Sequence, residues 1–159
     1  MNRVSYSTIK ASKKKDPKGT KYSNFLITIN PNKTYATPNS TGFDDMKKRL
    51  QVLANHILKD NMIDKFFKFN NDKTREENLG LIVEIDPDRY GVVEYGEDMH
   101  RLHVHINVMV KHKTNLMIDR NKISHVASKL LDRPEKSLNI NIVVTGRSLY
   151  DYARKGLSQ

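Results

Sequence analysis

The sequence predicts an α+β domain. A central, antiparallel-rich sheet of about five strands carries helices packed on one face and the active site on the other. Three observations lead there. Segments rich in β-branched and aromatic residues are interleaved with segments whose apolar residues recur at three- and four-residue steps. Three strand-like segments follow one another directly, separated only by "DPDR" and "EDMHR", as antiparallel hairpins require. Along "LHVHINVMV" aliphatic residues alternate with His, Asn and Met, the pattern of a sheet covered on one side.

The elements follow in order. Residues 22–30, "YSNFLITIN", read as a first strand that ends at the turn signal Asn30-Pro31. Residues 35–42 read as a polar loop with Pro38 and Gly42. Phe43, Met46, Leu50, Leu53, Ala54 and Ile57 form one stripe of a helix over 43–60. The apolar patch Met62, Ile63, Phe66, Phe67 and Phe69 is expected to continue the helical layer, and 70–78 to be loop. Strands are expected at 79–85, 90–96 and 102–110. A second helix over 121–133 lines up Ile123, Val126, Ala127, Leu130 and Leu131, with Asp119 or Asn121 as its cap. Residues 138–146 read as the last strand and 148–156 as a short helix, opened by Ser148 with Asp151 and stopped at Gly156.

Lys and Arg number 28 against 18 Asp and Glu, a formal charge of +10, which points to a polyanion partner such as nucleic acid. Residues 1–21 carry seven of those cations against Asp16 alone and read as a basic, flexible N-terminal arm before a domain at 22–159. The absence of cysteine excludes disulfides and thiolate zinc sites. No apolar run reaches the roughly 18 residues of a membrane span, so no membrane partner is expected.

Side chains alternate along a strand, so Leu102, Val104, Ile106, Val108 and Val110 should meet the helices, while His103 and His105 share the other face. A lone His-x-His is more often a solvated polar pair than a ligand set. Here Glu94 adds a third candidate ligand. In a hairpin centred near Asp98 and Met99, Glu94 stands opposite His103. A one-residue slip would turn the carboxylate towards the core, at high desolvation cost. His100 falls in the turn, and Glu84 is a reserve ligand of unassigned face. Two imidazoles and a carboxylate suit Mn²⁺, Zn²⁺ or Fe²⁺, and admit Mg²⁺ less readily. Near the chain end, Tyr152 and Lys155 share a helical face. Such a pair alone is usually a packed ring beside a solvated ammonium; a phenol needs a metal or a cation to act as a nucleophile.

Together these pieces resemble the rolling-circle replication initiators, or HUH endonucleases, in particular the Rep nuclease domain of small circular single-stranded DNA viruses and plasmids. "FLITIN" (25–30), "HVH" (103–105) and "YARKG" (152–156) are similar to that family's three motifs, in order, and Glu94 sits where its carboxylate ligand falls. The resemblance implies a catalytic Tyr152 assisted by Lys155, with the metal on Glu94, His103 and His105. The expected cofactor is a divalent metal ion, Mn²⁺ or Mg²⁺. The implied reaction nicks single-stranded DNA at a replication origin through a 5′-phosphotyrosine link. No G-x-x-x-x-G-K-[ST] motif is present, so unwinding is expected from another domain or a host helicase. Lys21, Lys111, Lys113 and Arg154 are candidate DNA contacts on charge and neighbourhood. The expected location is intracellular: the host nucleus for a eukaryotic virus, otherwise the cytoplasm. Two other readings stay open at this point: a non-catalytic nucleic-acid-binding module, and another His/carboxylate metallohydrolase.

Overall fold

Strand β1 (Lys21–Asn30) buries Phe25, Ile27 and Ile29 completely, because alternate residues point to one side and meet the core there. The structure, a computed structural model, describes residues 19–96 and 98–146; the predicted helix at 148–156 and nearly all of the basic arm lie outside them. After β1 come helix α1 (Phe43–Leu58), a 3₁₀ turn (Ile63–Phe66), strand β2 (Phe67–Lys68) and the short helix α2 (Arg75–Leu79). Strands β3 (Ile82–Ile85), β4 (Tyr90–Gly96), β5 (Arg101–His112) and β6 (Met117–Ile118) follow. Helix α3 (Arg120–Leu131), a 3₁₀ turn (Glu135–Ser137) and strand β7 (Asn139–Thr145) complete the described chain.

The fold is α+β, with a five-stranded sheet in which every pairing is antiparallel. The twelve-residue β5 organises it. One edge of β5 pairs with β1, which pairs in turn with β7. The other edge is shared end to end, with β4 along its first half and β3 along its second. With α1 after β1 and α3 before β7, the connectivity is a split β-α-β-β-α-β arrangement.

Register explains the core. Phe25, Ile27 and Ile29 stand opposite Val108, Ile106 and Val104 of β5. Their cluster includes Phe43, Met46, Leu50, Leu53, Ala54 and Ile57 of α1, the six residues of the predicted stripe, and Ile123, Ala127 and Leu131 of α3. Each large aliphatic or aromatic side chain so buried contributes about 1.5–3 kcal/mol over its exposed state. Gly42 takes the left-handed conformation (φ 85°) where α1 begins, and Asp44 and Asp45 offset the positive end of the helix dipole. Asp119 caps α3 by accepting a hydrogen bond from the Lys122 amide.

Two local expectations are corrected. The patch at 62–69 does not extend the helical layer. After the 3₁₀ turn the backbone runs extended, pairing Phe67 with Ile118 in a second, two-stranded sheet. Phe67 is fully buried, its ring centroid 6.3 Å from that of Phe25, so the patch serves the core as a strand. The segment 70–78 is not all loop either. Thr74 and Glu77 form a capping box that opens α2. The helix stands on buried Asn78, whose amide accepts from Thr114 Oγ1 at 2.7 Å and exchanges hydrogen bonds with Asn71.

A second polar network fixes the far end of β5. The buried His112 donates from Nδ1 to the Thr114 carbonyl, which leaves Nε2 to accept from Ser23 Oγ at 2.7 Å. Burial pushes the imidazole pKa below its usual 6.5; the Thr114 hydrogen bond opposes this and the Lys21 charge reinforces it. Above that usual value neither state is protonated, and the group has no effect on pH dependence. Below it the unfolded chain takes up a proton that the folded chain resists, so stability falls with pH. Thermal melts between about pH 7.5 and about pH 5.5 should show this decline. In His112→Gln the decline should be shallower, although the starting melting temperature is lower. An unchanged slope would remove His112 as its source.

Candidate metal centre

Strands β4 and β5 pair in the register of a hairpin centred near Asp98 and Met99: Glu94 stands directly opposite His103, and Val92 opposite His105. Val93 and Tyr95, the residues flanking Glu94, pair with Val104 and Leu102 and pack against the core. Strand parity therefore turns Glu94, His103 and His105 to the other face together. Glu94 Oε2 lies 3.5 Å from His103 Nε2 and 3.3 Å from His105 Nε2. The two imidazoles meet edge to face, with centroids 4.8 Å apart.

These distances suit a shared cation. Two ligand atoms each about 2.1 Å from one ion in tetrahedral geometry are roughly 3.4 Å apart. One ligand atom from each of the three residues falls within 4.8 Å of the others. The group can therefore hold a metal ion without rearrangement of the strands. The Glu94 side chain is 54% exposed and the histidines are partly exposed, so solvent reaches the site.

Thr28 of β1 completes the support. It pairs with His105 across the sheet, and its Oγ1 lies 2.9 Å from His105 Nδ1. A hydrogen bond at Nδ1 fixes the ring plane and, when Nδ1 is the donor, leaves the Nε2 lone pair facing Glu94. Thr28 lies within "FLITIN" on the outward parity, but no local spacing in the sequence marks it as a partner of His105. Only the β1–β5 register reveals the partnership.

The other candidates are distributed differently. His100, in left-handed conformation at the turn, has Nδ1 3.0 Å from Tyr95 Oη and is not one of the ligand group. Glu84 stands opposite Lys111 on β3, about 20 Å along β5 from His105, and so does not serve as a reserve ligand. Lys21 and Lys111 flank the same far end of β5, with Lys111 Nζ 5.8 Å from the Tyr22 ring centroid. Lys113 is two residues beyond Lys111, and its amide is bonded to the Leu81 carbonyl. These three lysines are thus grouped with one another and apart from the metal centre. Tyr152, Arg154 and Lys155 lie outside the described residues. The outward sheet face is not open throughout, because Tyr22, Asn24 and Met109 are buried at the Lys111 end.

No protein-family model, curated protein or solved structure matches this chain. No helix among the described residues is long and apolar enough to cross a membrane.

Proposed function

We propose that this chain is a metal-dependent single-stranded DNA endonuclease and strand transferase that nicks a replication origin to start rolling-circle replication. The observation that carries the reading is the convergence of Glu94, His103 and His105 on one sheet face, in a chain that later presents Tyr152 and Lys155 at helical spacing. A divalent ion on the three ligands, Mn²⁺ or Mg²⁺, would draw electron density from a phosphate oxygen. Tyr152 Oη attacks phosphorus, the bond from phosphorus to the 3′ oxygen breaks, and a 5′-phosphotyrosine forms. The proton lost by the phenol is balanced by one gained at the 3′ oxygen. Lys155 offsets negative charge on the phosphate or the phenolate. The link conserves the phosphodiester energy, so a later 3′-hydroxyl can rejoin the strand. Partner helicase activity and an intracellular site of action belong to the same proposal.

Incubation with single-stranded oligonucleotides and Mn²⁺ should give a protein–DNA adduct that survives denaturation. Tyr152→Phe should abolish the adduct and leave DNA binding intact. Cleavage without any adduct would favour a hydrolase that uses metal-bound water. DNA binding without cleavage would favour a non-catalytic module.

A further inference from the structure

We propose a second nucleic-acid contact, separate from the metal centre: a basic cavity beside α3 that holds a segment of single strand by its phosphates. The cavity has a volume of about 510 Å³ and is lined by Lys65, Lys68, Arg75, Lys122 and His125, with Asp119 the one acid among the described residues. The cations come from the 3₁₀ turn, β2, α2 and α3, so the fold gathers them from four places along the chain. The 3₁₀ turn, β2 and α3 pack through Ile63, Phe66, Phe67 and Ile123 into the hydrophobic core, whereas the metal ligands have the opposite strand parity. One strand segment in the cavity and another at the metal centre would therefore not compete for the same atoms.

Two of the cations are held in place by groups that leave their charge uncompensated. Arg75 donates to the carbonyls of Phe67 (2.9 Å) and Asp64 (2.6 Å) and lies 5.6 Å from the Phe69 ring centroid. Lys122 Nζ donates to the Lys65 carbonyl at 3.1 Å. Among the described residues none of the four lining Lys and Arg side chains forms an ion pair. Asp119 is engaged as the α3 cap. A fixed guanidinium and ammonium without carboxylate partners need little reorganisation to receive an anion.

The shape of the lining selects among anions. Met62, Phe66 and Val126 give the cavity an apolar wall beside the cationic rim. A nucleotide unit presents the same pairing, a flat apolar base next to a charged phosphate, and an unpaired base can reach such a wall. The repeated cations match the repeated charge of a strand better than a single carboxylate.

The test is a salt titration of fluorescein-labelled oligothymidylate binding, read by anisotropy, with EDTA present throughout so that the metal centre makes no contribution. Each lost phosphate contact lowers the slope of log K against log salt by about 0.7 for a single strand. The triple variant Lys65→Gln, Lys68→Gln, Lys122→Gln should lower it by about 2. All three side chains are exposed, so the fold should be retained, and melting curves check this. A control triple, Lys59→Gln, Lys129→Gln, Lys136→Gln, removes the same formal charge from exposed positions outside the cavity lining. The proposal stands if the cavity variant loses clearly more slope than the control. It is overturned if the two losses are equal, or if the cavity variant keeps the parent slope. Neither result depends on the adduct assay, so failure of the nickase reading would leave this one intact.

Discussion

A chain carrying His103→Ala should bind Mn²⁺ more than about 100-fold more weakly than the parent, beyond the 10- to 100-fold typical of losing only a supporting hydrogen bond. Calorimetry or the Mn²⁺ electron spin resonance signal measures this without any DNA. The expectation follows from the geometry: with His103 gone, Glu94 and His105 remain as two ligands, and Glu94 is more than half exposed to competing water. Thr28→Val gives a graded comparison. It keeps the side-chain shape, keeps all three ligands and removes the hydroxyl 2.9 Å from His105 Nδ1. Its loss should fall within the 10- to 100-fold range. Equal, unimpaired binding in His103→Ala would show that the three residues do not share an ion. An effect of Thr28→Val as large as that of His103→Ala would mean that Thr28 does more than orient the ring.

What the sequence discloses here depends on whether local chemistry or a distant partner makes the decision. The β4–β5 register was legible because one slip would carry Glu94 to the face of Leu102 and Val104. A hairpin centred near Asp98 and Met99 sets Glu94 opposite His103, and burial cost rejects the one-residue slip. The α1 stripe was legible for the same reason: all six of its predicted core residues are buried. Helix α2 was not, because no apolar stripe marks it. It rests on Asn78, whose buried side chain is bonded by Thr114, 36 residues further along the chain and just past β5. A T-x-x-E signal at Thr74 and Glu77 was available, but the apolar run after it, "LGLIVEI", is rich in β-branched residues and reads as a strand, not as a helical stripe. Phe67 suits a helix or a strand equally well, and pairing with β6 decides between them. Thr28 and the basic cavity were hidden for a related reason. Each is a meeting of elements distant in sequence, and no local spacing encodes it.

The close approach of β4 to α1 gives the second large effect. Gly91 faces the core opposite Ile106, and a Cβ placed on it would lie 2.6 Å from the Cβ of Ala54. That atom belongs to a helix in the middle of the core and cannot swing aside as the end of a long side chain can. Gly91→Ala should therefore destabilise the protein by about 2–3 kcal/mol through overpacking. For a domain of this size that is a fall in melting temperature of roughly 5–10 °C. Ala54→Gly alone should cost about 1 kcal/mol in helix propensity, with some lost packing besides. The pair together should be more stable than Gly91→Ala alone, since removing the Ala54 methyl clears the space that the new methyl needs. Such a favourable coupling is the signature of direct contact. Because Glu94 lies three residues along the same strand, Gly91→Ala should also weaken Mn²⁺ binding, and Ala54→Gly should restore part of it. Additive destabilisation in the double variant would show that β4 relieves the clash by moving away from α1. In that case Mn²⁺ affinity should stay low in the double variant as well, since the displaced strand carries Glu94 with it.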